Sequence, residues 1–129
     1  MKKLLFFVLL ALLSSCSKGY GEKIENENVI VFYLDKAHKK EAQKLLDFWV
    51  EEQFNSDKKQ YLRLLGDAKN NYSVQLIASP NFDPKTISFE EIKLFTELKY
   101  RLDTEVFKPQ TCKIVICDGT FRPIYTPVN

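Results

Sequence analysis

Among 129 residues there are only one histidine, one tryptophan, one methionine, three cysteines and four glycines. Each scarcity removes a class of chemistry. A lone His38 has no second imidazole and no activated nucleophile or His/Cys cluster to join, so metal and triad chemistry lack their constellation. Set among Lys36, Lys39 and Lys40 at the start of a helical stretch, it reads as an ordinary surface residue. The glycines form no phosphate-cradling loop, and no Walker pattern or nucleophile elbow is present. Adjacent acidic pairs such as Glu51/Glu52 and Glu90/Glu91 diverge by about 100° on a helix and do not converge on a substrate. The longest apolar run, Leu4 to Leu13, is ten residues. As a helix it measures about 15 Å, half a bilayer's hydrocarbon thickness, which excludes a membrane span. No catalytic, cofactor-binding or metal-binding residue is therefore expected.

What that run does fit is an export signal: Met1-Lys2-Lys3 precede it, and the small residues Ser14 and Ser15 follow it. The next residue is Cys16. Leu13-Ser14-Ser15-Cys16 resembles the lipobox of bacterial lipoproteins, in which a leucine and two small residues precede an obligatory cysteine. The resemblance implies removal of residues 1–15 and a lipid attachment at Cys16, through a diacylglycerol thioether and an acylated α-amino group. Two or more acyl chains make a stable membrane anchor, at about 0.8 kcal/mol per buried CH₂. Ser17 is not the aspartate associated with inner-membrane retention, which implies an outer-membrane address facing the periplasm. Cys16-Ser17-Lys18 is also similar to the opening of a surface-export signal, but Gly19 and Tyr20 replace its acidic pair, and surface exposure stays open.

Cleavage before Cys16 leaves 114 of the 129 residues, suited to one compact domain. It also discards Lys2 and Lys3, so 17 basic residues face 17 acidic ones. Nucleic acid needs a basic footprint, and none remains. Residues 16–28, with Gly19, Gly21, Glu22, Glu25 and Glu27, read as the lipidated cysteine and a flexible polar tether. A single domain over 29–129 follows.

Within it, NVIVFYL is rich in β-branched and aromatic residues and predicts a strand. Asp35 offers a cap to a helix over Lys36–Phe54, whose core stripe is Ala42, Leu45, Leu46 and Trp49, widened by Phe48. YLRLL and YSVQLIA alternate at period two across the turn-forming GDAKNN and predict a hairpin. Ser88 and Glu91 form a capping box for a second helix, Phe89 to Val106, with Phe89, Ile92, Phe95, Leu98, Leu102 and Val106 on one stripe. CKIVIC, a two-residue turn at Asp118-Gly119 and TFRPIYTP predict a closing hairpin whose prolines suit an edge.

The fold class is thus α+β: a ferredoxin-like β-α-β-β-α-β-β two-layer sandwich with both helices on one face of an antiparallel-rich sheet. The other face is left without a helix. Ile77, Val115 and one parity of the first strand then form an exposed apolar patch, or the tether or the 80–86 loop folds over it. Tyr33, Tyr61 and Tyr125, with Arg63 and Arg122, either decorate that face for protein or glycan contact or are tyrosines that straddle core and water. Cys112 and Cys117, five apart on one strand, are about 16 Å from each other and too far for a mutual disulfide. They are expected as buried free thiols of opposite parity, with an intermolecular disulfide as the alternative.

The strand-helix-hairpin-helix-hairpin succession, carried by VFYLDKAHKKEAQKLLDFWVEEQF, YLRLLGDAKNNYSVQL and LDTEVFKPQTCKIVICDGTF, is similar to a group of uncharacterised small bacterial α+β domains and implies no activity. The function expected is that of a lipid-anchored envelope protein, a non-enzymatic module contacting a protein partner or its own copy through the open sheet face. The alternative is a small-ligand or glycan binder; a partner-dependent enzyme is the third reading.

Overall fold

The computed structural model describes residues 17–52, 58–67, 69 and 71–127. Cys16 and the apolar run before it lie outside the described residues, as do Phe54 and the segment around it. Six strands form one mixed sheet in sequential order: β1 (Glu22–Asn26), β2 (Val29–Tyr33), β3 (Gln60–Gly66), β4 (Tyr72–Ile77), β5 (Cys112–Cys117) and β6 (Pro123–Tyr125). Two helices join the parallel pairs. α1 (Lys39–Glu51) links β2 to β3, and α2 (Phe89–Leu102) links β4 to β5 and continues as a π-helical turn, Asp103–Phe107. β1–β2, β3–β4 and β5–β6 are antiparallel hairpins.

The α+β class, the two helices and the mixed sheet agree with the expectation; the strand order does not. A split β-α-β arrangement places another strand between the two that a helix connects. Here each helix joins immediate neighbours, Val29↔Gln60 opening the β2–β3 register and Tyr72↔Cys112 the β4–β5 register.

A second difference lies at the start. The segment read as tether contains a 3₁₀ turn (Ser17–Tyr20) and β1, which pairs from Glu22↔Tyr33 to Asn26↔Val29. EKIEN is polar because β1 is an edge strand whose residues, apart from half-buried Ile24, face water. Its two-residue loop places Glu27 at φ 55, without the Asn-Gly or Asp-Gly that announces such a turn.

Alternation sorts the sheet into two faces. Val29, Val31 and Tyr33, Leu62 and Leu64, Tyr72 and Val74, and Cys112, Ile114 and Ile116 join Ala42, Leu45, Leu46, Phe48 and Trp49 of α1 and Leu102, Val106 and Phe107 in one core. Both helices therefore cover the same face. Asp35 Oδ1 accepts from the Ala37 N–H at 2.9 Å, and Ser88 and Glu91 make the expected reciprocal box. α2 is less deeply seated than its periodicity implies: Phe89 is 81% exposed, and burial concentrates at its C-terminal end.

Candidate functional site

The helix-free face is not an open apolar patch. Val115, Cys117 and Phe121 are buried there in a second, smaller core, with Phe32, Ile77 and Tyr20 packed against it. Tyr20 comes from the segment read as tether. Its ring lies 5.6 Å from that of Phe32 and 5.2 Å from that of Phe121, both edge-on. Phe121 reaches inward because the β5–β6 turn spans Asp118 to Arg122 rather than two residues, and it places Phe121 at φ 61. Asp118 Oδ1 organises this turn by accepting from Thr120 N, Thr120 Oγ1 and Arg122 N, which holds its carboxyl below the usual range.

The tyrosines make no platform on this face, because parity divides them between core and water. Tyr33 and Tyr125 belong to the helix side, Tyr61 and Arg63 lie on the other, and Arg122 stands in the turn before β6. Tyr61 stacks on Phe32 at 6.4 Å, and the Arg63 guanidinium sits 6.0 Å from the Tyr20 ring and 5.9 Å from that of Phe121. Arg63 faces Gln75 across β3–β4; Arg63 Nε and Gln75 Oε1 are buried without hydrogen-bond partners.

The helix layer instead carries the exposed apolar surface. α1 and α2 leave between them a cleft of about 420 Å³, walled by Trp49, Leu76, Leu94, Phe95 and Leu98 and rimmed by Glu97 and Arg101. Trp49 is oriented by its indole N–H, which donates to Gln60 Oε1 at 2.7 Å. The rim is braced by Arg101, which donates to Glu52 Oε1 at 2.6 Å and Glu105 Oε2 at 2.7 Å and lies 4.9 Å over the Phe48 ring. The hydrogen bond to Arg101 holds the Glu52 carboxyl below its ordinary value. Leu94 is 64% exposed at the mouth, and Phe89 and Tyr100 project from the outer side of α2. No spacing rule distinguishes such a cleft from core, because Leu94 and Phe95 are neighbours in sequence and only the seating of α2 separates them.

A polar cleft of about 500 Å³ lies at the β3–β4 turn, lined by Gly66, Asp67, Asn71, Lys99, Thr111 and Lys113 among others. Two of its charged groups are already engaged: Asp67 Oδ1 accepts from the N–H groups of Lys69 and Asn71, and Lys99 pairs with Asp103 at 2.6 Å. Asp103 also accepts from Cys112 N at 2.7 Å. His38 is a further correction. It is 8% exposed, with its ring edge-on to Tyr72 at 5.2 Å, because the 3₁₀ turn Lys36–His38 rotates it inward onto Gly66.

Cys112 and Cys117 are free and buried on opposite faces. Among the described residues no group of three or more His, Cys, Asp or Glu is placed to hold a metal ion, and no helix is long and apolar enough to cross a membrane. Neither the curated proteins nor the solved structures compared with the chain gave a match. Residues 23–127, from within β1 to the last described residue, match the AF_1994_N family N-terminal domain, and the chain belongs to that family.

Proposed function

We propose that the protein is a lipid-anchored component of a bacterial cell envelope, acylated at Cys16, held at the outer membrane facing the periplasm, and acting as a non-enzymatic protein-interaction module. The contact surface is the helix layer rather than the sheet face first expected. The observation that carries this reading is the uncovered apolar surface of α2: Leu94, 64% exposed, stands at the mouth of the Trp49 cleft, and Phe89 and Tyr100, 81% and 70% exposed, project from the outer side of the same helix. Large apolar side chains left exposed along one helix, next to an apolar cleft, mark interaction sites more often than a solitary exposed one does.

Two measurements test the two halves separately. Growth with a clickable fatty acid should label the wild type and not Cys16→Ala, and the variant should leave the membrane fraction; a labelled variant refutes the anchor. A photoreactive residue at Leu94 should give discrete crosslinked species in intact cells, and one at Lys40, on the exposed side of α1, should not. Adducts equal at both positions, or absent from both, refute the interaction surface.

The second reading, a small-ligand binder, is favoured by the volume of the cleft, about 420 Å³, which lies in the range of ligand sites. Its glycan form has lost support, since the tyrosines expected to make a stacking platform lie on two faces. Native mass spectrometry of protein extracted from membranes would show a bound small molecule in place of protein adducts.

A further inference from the structure

Tyr20 stands four residues after Cys16, and it is held on the helix-free sheet face by Phe32 and Phe121. Four residues of chain reach at most about 14 Å when fully extended. An acylated Cys16 sits at the headgroups, so this leash keeps the Tyr20 side of the sheet within that distance of the lipid. Turning the helices toward the membrane would require the leash to pass the sheet edge and cross two layers, a path of roughly 20 Å given about 10 Å per layer.

We propose that the domain lies on the bilayer in one orientation, the Tyr20-bearing sheet face against an anionic lipid surface and the α1–α2 cleft turned away from it. The inference rests on the reading that Cys16 is acylated. Charge agrees with it. Among the described strand residues of this face, Lys23 and Lys113 are exposed, against one exposed carboxylate, Glu25. Tyr61, 38% exposed and stacked on Phe32, adds an aromatic of the kind that settles at membrane interfaces.

The test uses the full acylated protein in vesicles of phosphatidylethanolamine and phosphatidylglycerol with a trace of nickel-chelating lipid. Spin labels are placed singly at Glu25→Cys on the sheet face and Glu90→Cys on α2. The native thiols do not compete, because Cys112 and Cys117 are 4% and 0% exposed. Relaxation by lipid-borne nickel should be several-fold stronger at position 25 than at 90, and a ten-residue glycine-serine spacer between Ser17 and Lys18 should abolish most of the difference. Equal relaxation at both positions in vesicle-bound protein, or a reversed order, overturns the orientation alone; a contrast that survives the spacer upholds the orientation and assigns it to the sheet face itself rather than to the leash. An N-terminal peptide mass without acyl groups overturns the anchor and the orientation together.

Discussion

Gly66 ends the core-facing row Leu62, Leu64, Gly66 of β3, and a Cβ there would collide with the His38 ring. Gly66→Ala should therefore lower the unfolding free energy by about 1–3 kcal/mol, the usual cost of overpacking, read as a reduced urea midpoint. This glycine was the available signal for His38: a missing side chain on a core-facing row calls for another group to fill it. The lysines around His38 hid that, because a 3₁₀ start shifts the phase on which helical periodicity relies.

The thiols give a residue-scale prediction in pH. Burial, aided by Asp103, pushes Cys112 up to about 12, and burial, aided by Asp118, pushes Cys117 up to about 11. Folded thiols thus keep their protons where unfolded ones, near 9, lose them. Stability from both is complete below about pH 8.5 and is lost as pH rises toward those folded values. Urea midpoints measured from about pH 8 to about pH 10.5 should fall more steeply for the wild type than for the Cys112→Ala/Cys117→Ala double variant, although the latter starts lower.

At the scale of elements, what could be read from the sequence was what neighbouring residues settle among themselves. The capping box at Ser88 and Glu91 needs only a spacing of three, and its hydrogen bonds form as expected. Asp103 carries no such spacing signal, because its partners are brought to it by the π-helical turn, which aims one oxygen at Lys99 and the other at the first N–H of β5. The two carboxyl-bearing devices should differ in weight. Ser88→Ala should cost about 1 kcal/mol as a lost cap, while Asp103→Ala, which strands the Cys112 N–H, should cost about 1–3 kcal/mol in the same unfolding assay. β1 escaped notice for a different reason: its value lies in backbone pairing, and backbone groups have no signature in side-chain pattern. Parity inside each strand was legible, and it correctly separated Cys112 from Cys117. Which strand lies beside which was not, because adjacent and split crossovers use the same sequence pattern.

For the whole molecule, β1 and the turn before it close one side of the sheet. Deleting residues 17–26 would bare the edge of β2, Val29–Tyr33, nearly all of it apolar, and would remove Tyr20 from the second core. An uncovered edge of that composition templates pairing between chains. The shortened domain should sediment as dimers or larger species at concentrations where the longer one is monomeric; a monomeric, equally stable product would show that β1 is dispensable. The family match agrees with a domain that includes this strand, since it begins at residue 23.

The strictly sequential strand order has a consequence for how the molecule is made. A chain emerging from its amino end, whether from a ribosome or through an export channel, presents each strand when its predecessor is already waiting beside the exit. No strand has to be threaded between two that have met, and none must wait for a distant mate. Assembly can proceed like laying planks, with the unfinished margin always the newest one, so the longest exposure of sticky backbone falls on the short, proline-bearing sixth strand, the one least able to recruit a stranger.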